Sequence, residues 1–172
     1  MHSKQYFVDP SVLKNKMDTL IRVYNLATSA EHGLVSEFDA ADFQRLDYGN
    51  GTGIIFLRVS IGEVFLGYTK DAAGSFNEFS RLLPHDVESI LYFVRAVLTD
   101  KVNPEFVLWR KPDDTVWNHD SSKDEATFIS LTDPLFMSPQ ALYNRVFDTF
   151  YHSDPELVPE GFSMEKVLEE VN

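Results

Sequence analysis

The chain contains no cysteine among its 172 residues. Disulfide scaffolds, zinc fingers, iron–sulfur sites and thiol catalysis are therefore excluded. Basic residues are also scarce: 15 Lys plus Arg stand against 27 Asp plus Glu, a net charge of -12. A nucleic-acid backbone is held by clustered Lys and Arg, so no direct nucleic-acid contact is expected. A membrane-spanning helix needs roughly 18 uninterrupted apolar residues. The best window, Ile90 to Leu98, is broken by Arg95, and no membrane span is expected. The first ten residues, Met1 to Pro10, hold no apolar stretch of the signal-peptide kind. With the missing cysteines, this suits a cytoplasmic protein. Asn50-Gly51-Thr52 matches a glycosylation sequon, but three glycines within residues 49–53 read better as a turn.

What is present suffices for a core: 44% of residues are hydrophobic and 13% aromatic. The size is that of one domain. Asp9 reads as the cap of a first helix, with Pro10 at a position where its missing N–H costs nothing. Leu13, Met17, Leu20, Ile21, Tyr24 and Ala27 recur at helical spacing, and Gly33 reads as the stop. Asp39 to Leu46 reads as a short helix. Ile54 to Ser60 and Glu63 to Thr69 read as two strands turning at Ile61-Gly62. Ile54-Ile55-Phe56-Leu57 is apolar on both faces, as in a strand covered on both sides.

Ser75-Phe76-Asn77-Glu78 is a capping-box pattern that opens a helix carrying Phe79, Leu82 and Leu83. A further helix follows, with Val87, Ile90, Leu91, Val94, Val97 and Leu98 as its apolar face. Glu105 to Lys111 reads as a strand, Pro112-Asp113-Asp114 as a turn, and Thr115-Val116-Trp117 as the start of a return strand. Ala126 to Leu131 reads as another strand. Ser138 and Pro139 open a helix whose Leu142, Val146, Phe147 and Phe150 face inward. After a linker-like stretch from His152 to Gly161, Ser163 to Val171 forms a last short acidic helix. Paired strands between helices favour an α+β fold: one domain, an antiparallel sheet of about four to five strands with helices packed on it. A parallel doubly wound sheet is the alternative. Residues 1–152 are expected to form the domain, with 153–172 as an acidic linker and short helix packed on it.

The charge is unevenly placed. Residues 1–110 carry 14 acids and 11 bases, a net of -3, whereas residues 111–172 carry 13 acids and 4 bases, a net of -9. Asp113, Asp114, Asp120, Asp124 and Glu125 face only Lys123 within residues 112–125, with Trp117 and His119 among them. A smaller concentration is Glu31, Glu37, Asp39, Asp42 and Asp47 against Arg45. One reading is solubility alone. The sharper one is a patch that steers a basic partner, with Trp117 as the aromatic anchor that interface hot spots favour.

Several short patterns invite a chemical reading. Gly49-Asn50-Gly51-Thr52-Gly53 resembles a phosphate loop in composition, but it precedes a strand and no Gly-Lys-Ser/Thr follows. His85-Asp86 could ligate a metal if His32 or His119 joined them, although Asp86 also reads as a helix cap. His119-Asp120 with Asp113, Asp114, Asp124 and Glu125 could hold a hard cation, but EF-hand spacing is absent. Pro112-Asp113 with Glu125 lacks the lysine that a two-carboxylate nuclease needs, because residue 127 is Thr. No Gly-x-Ser-x-Gly elbow is present. Trp109 and Trp117 flank the Asp113-Asp114 turn; on a hairpin they could share one face, and the equal alternative is that both are partly buried core. Tyr143, Phe147, Phe150 and Tyr151 are spaced as helix core.

The expectation is a non-enzymatic inhibitor of a basic protein, of the immunity-protein, antitoxin or phage-inhibitor kind, with no cofactor. Its contact surface would be Asp113, Asp114, Trp117, Asp120, Asp124 and Glu125, with Glu165, Glu169 and Glu170 as a second choice. Two alternatives stand beside it. One is a small enzyme or ligand-binding domain with a scattered His/Asp metal site, His85, Asp86, His119 and Asp120 first. The other is an adaptor domain whose acidity serves only solubility.

Overall fold

A computed structural model describes residues 4, 7–28, 33–38, 41–59, 62–70, 102–119 and 125–172. Helix α1 spans Pro10–Ala27. Its first turn is closed by the Asp9 carboxylate, which accepts from the Ser11 N–H at 2.9 Å. The stripe Leu13, Met17, Leu20, Ile21, Tyr24 and Ala27 is buried throughout. The helix ends one residue before Thr28, and Gly33 opens strand β1 (Gly33–Phe38) instead of stopping α1.

Four more long strands follow: β2 (Ala41–Asp47), β3 (Thr52–Val59), β4 (Gly62–Lys70) and β5 (Val102–Arg110). A two-residue β6 (Asn118–His119) completes a six-stranded sheet in chain order. Every neighbouring pair is antiparallel. The fold is thus α+β, and the parallel alternative is excluded. The expected strand pair is present, but Gly62 lies opposite Val59 as the first residue of β4 and not in the turn read at Ile61-Gly62.

Two elements differ from the sequence reading. Residues read as a helix from Asp39 to Leu46 contribute most of β2. Both flanks of β2 are paired, to β1 and β3, and Gln44 and Leu46 alternate with Phe43 and Arg45 across the sheet. Cross-strand pairing outweighs a weak local pattern there. Conversely, Ala126 to Leu131, read as a strand, lies in helix α2 (Glu125–Thr132). Phe128, Leu131 and Thr132 bury the three- and four-residue spacing of a helix face, and Thr132 Oγ1 donates to the Phe128 carbonyl at 2.8 Å. The helices read from Ser75 to Leu98 lie outside the described residues.

Register sorts the sheet into two faces. Leu46 lies opposite Ile54, Phe56 opposite Phe65, and Phe65 opposite Leu108. These residues form the core with α1, α2 and helix α3 (Pro139–Tyr151). The other face, with Phe43, Ile55, Leu57, Val64, Leu66 and Val107, is buried as well. The double-sided apolarity of Ile54 to Leu57 therefore reports a strand buried on both faces.

Helix α3 is capped by Ser138, whose hydroxyl accepts from Ala141 N–H at 3.2 Å. Short 3-10 turns at Asp133–Phe136 and Pro155–Leu157 precede and follow it. Helix α4 (Met164–Val171) packs on this layer through buried Val167, and buried Phe162 stacks on Tyr143 at 4.9 Å. Arg22 of α1 donates to Glu170 of α4 at 2.7 Å. No described helix is long and apolar enough to cross a membrane.

The core holds two tyrosines beside Arg145. Tyr48 donates its hydroxyl to the Leu131 carbonyl at 2.7 Å, while the Tyr24 hydroxyl, near Arg145, is buried with no hydrogen bond of good geometry among the described residues. Burial pushes the Tyr24 hydroxyl up to about 12, against the opposing pull of Arg145. Burial raises Tyr48 as well. An unfolded tyrosine ionises near 10, so the contribution is complete below about pH 10 and is lost as pH climbs from there through the folded value. Tyr24→Phe removes this buried hydroxyl. It is expected to leave stability at pH 7 equal or about 1 kcal/mol higher, and to flatten the decline above pH 10. Urea midpoints at both pH values check this; a large loss at pH 7 would contradict it.

Candidate functional site

The first expected surface centres on the turn after β5. Asp114 N–H donates to the Lys111 carbonyl at 3.0 Å, closing a four-residue turn. The Asp114 carboxylate accepts from Lys111 N–H at 2.9 Å and from the Asn118 amide at 2.8 Å. This half-buried carboxylate holds the hairpin together. Asp113, at the tip, is exposed and makes no ion pair among the described residues. The return strand begins at Asn118, three residues later than read.

Trp117 departs most from expectation. It is 2% exposed and belongs to the core, with its indole N–H donating to the Val8 carbonyl at 2.8 Å. Arg110 lies over its ring, with 5.9 Å between guanidinium carbon and ring centre. Trp117 is thus a structural residue and presents no aromatic anchor to a partner. The two tryptophans do not share a face either. Trp109 lies opposite Asn118, next in sequence to Leu108 on the core side, so alternation sends it to the other face.

Glu125 is exposed at the start of α2, where its charge complements the helix dipole. Asp120 and Asp124 lie outside the described residues, so the turn and Glu125 are not shown to join into one patch. His119 is exposed on β6. His32, His85 and Asp86 also lie outside the described residues. Among the described residues, no three His, Asp or Glu side chains are grouped to hold a metal. Of the Gly49–Gly53 run, Gly49 to Gly51 lie in the β2–β3 hairpin connection, with Gly49 and Gly51 at φ of 81° and 83°, and Thr52 and Gly53 open β3. Asp47 and Asn50 side chains accept from its N–H groups, as in a tight turn.

The second choice of surface is better exposed. From Asp148 to Glu170, the acids Asp148, Asp154, Glu156, Glu160, Glu165, Glu169 and Glu170 face one base, Lys166. All but the half-buried Glu170 are exposed. Glu170 pairs with Arg22, and Glu169 with Lys166 at 3.1 Å. Asp154, Glu156, Glu160 and Glu165 form no ion pair among the described residues. Three carboxylates elsewhere contrast with these. Asp47 is met by Arg45 and Lys70, Glu63 by Arg58 at 3.5 Å, and Asp9 by Arg110 at 3.8 Å.

Leu157 stands among these unpaired acids, in the 3-10 turn, and is 65% exposed. Leu168 on α4 is 40% exposed. Sequence reasoning passed over Leu157, Asp154, Glu156 and Glu160 because they fall in a proline-bounded stretch without periodicity. The available signal was a leucine in a proline-bounded run with acids at Asp154, Glu156 and Glu160.

Comparison of the chain with protein-family models, curated proteins and solved structures finds no match.

Proposed function

We propose that this is a non-enzymatic acidic binding protein, cytoplasmic, that neutralises a basic partner protein in the manner of an immunity protein, an antitoxin or a phage-encoded inhibitor. A nuclease, whose cleft is basic because its substrate is a polyanion, is the target class that suits it best. The observation that carries the reading is the contrast in pairing. Asp47 and Glu63 of the sheet and Asp9 at the start of α1 are matched by arginine or lysine, whereas exposed Asp154, Glu156, Glu160 and Glu165 have no ion-pair partner among the described residues. Unpaired surface carboxylates keep their field for an approaching cation, so they speed encounter and are screened by salt. Exposed Leu157 among them offers an apolar contact that charge alone does not supply.

The contact surface proposed is therefore the C-terminal one, with Asp113 and Glu125 as the outlying members of the first choice. Its test is affinity capture from a lysate of the encoding organism at low and at high salt. Capture of a stoichiometric basic protein is expected, lost at high salt and lost with Glu156→Lys/Glu160→Lys. Recovery of nothing at either salt by the folded protein would overturn the reading. The contact surface would be overturned by a partner whose capture is unaffected by the double substitution.

A further inference from the structure

A cleft of about 350 Å³ opens between α1, the 3-10 turn at Asp133–Phe136, the first turn of α3 and the end of α4. Its walls are apolar, including Leu20, Pro134, Met137, Leu142 and Val171. That volume lies in the range, roughly 300–1,000 Å³, that small organic ligands occupy. Its polar lining is confined to α1: Asn15, Lys16 and Thr19.

Lys16 is the informative member. Its ammonium donates to the Leu135 carbonyl at 3.2 Å and lies 5.0 Å over the Phe136 ring. No carboxylate meets it among the described residues, in a chain with 12 more negative than positive charges. Two turns further along, Arg22 of the same helix does have one, Glu170. An ammonium has three N–H donors, and the carbonyl takes one of those on Lys16. A half-buried cation beside an apolar cleft, with no counter-charge among the described residues, is complementary to a molecule with an anionic head and an apolar body.

We propose that this cleft binds a small organic carboxylate with an apolar tail, its carboxylate against Lys16 and its tail along Leu20, Met137 and Leu142. None of the residues that would hold this ligand is one of the acids proposed to meet the basic partner, so its failure and the failure of that reading are distinguishable. Octanoate serves as the probe and octanol as its uncharged counterpart, followed by heteronuclear NMR titration of the full chain. Octanoate is expected to shift the signals of Lys16, Leu135 and Leu142 saturably with one site, and octanol to bind about fivefold to tenfold more weakly. Lys16→Gln keeps a donor for the Leu135 carbonyl but removes the charge. It should abolish the preference while leaving the dispersed spectrum intact. The proposal is overturned by the absence of saturable shifts at the cleft. It is equally overturned if wild type binds octanol as well as octanoate, or if the preference survives in Lys16→Gln.

Discussion

Trp117→Ala is expected to lower the unfolding free energy by about 3–5 kcal/mol, the range for truncating a large buried aromatic. Three losses act together at this site. The indole is buried within the core cluster, so its removal leaves a cavity. The Val8 carbonyl loses the indole N–H that it accepts at 2.8 Å. Arg110 loses the ring beneath its guanidinium. Denaturant unfolding measures the sum. Asp113→Lys, a few residues away on an exposed turn, should stay within about 0.5 kcal/mol of wild type. The pair of variants separates the two roles that the sequence had merged: a tryptophan that stabilises the fold and an aspartate free to meet a partner. Equal stability for Trp117→Ala and wild type would contradict the placement of the indole.

Gly62→Ala should be nearly as costly, for a different reason. Gly62 opens β4 with φ of +145°, a region that side chains disfavour. A Cβ there would lie 2.1 Å from the Arg110 carbonyl oxygen, a backbone atom held in the β4–β5 ladder. Neither the angle nor the oxygen can adjust without moving a strand. Backbone strain of about 1–3 kcal/mol and overpacking of about 1–3 kcal/mol combine, giving an expected loss of several kcal/mol. Thermal unfolding should show a much lower midpoint. At Gly51, where φ is +83° but nothing lies within 4 Å, the same substitution carries the strain without the clash and should cost less. An unchanged midpoint for Gly62→Ala would place this corner of the sheet differently.

The parts of the fold legible in the sequence are those whose signal is local. Asp9-Pro10 and Ser138-Pro139 fix the starts of α1 and α3 by cap chemistry, and each helix then buries one stripe. Ile54 to Leu57 reveals a doubly buried strand because all four residues are apolar. The parts misread depend on partners far along the chain. Nothing within Asp39 to Leu46 says that β1 and β3 will pair with it, and Gln44 is buried there through its amide, which donates to the Lys14 carbonyl of α1 at 3.3 Å. Ala126 to Leu131 is too short for its period to show, and its helix is settled by Phe128 and Leu131 reaching the core.

The candidate surface divides in the same way. Excess acid after residue 110 is plain from counting charges. Which acids are spent within the fold is not, because pairing is a matter of geometry. Asp114 is consumed by its turn and Glu170 by Arg22, whereas Glu156 and Glu160 are not consumed. The aromatic in the acid-rich segment suggested an anchor, yet the core claimed it, and an exposed leucine in the linker-like stretch is what the surface presents instead.

The most direct test of the proposed function is the association rate constant with the captured partner, measured across ionic strength. Steered encounter between an acidic surface and a basic one predicts a rate that falls steeply as salt rises, by tenfold or more between about 20 and 500 mM, with dissociation much less affected. Glu156→Lys/Glu160→Lys should slow association at low salt and flatten that dependence. A rate indifferent to salt, in wild type and variant alike, would contradict the claim that the unpaired C-terminal carboxylates are what this protein offers to its partner.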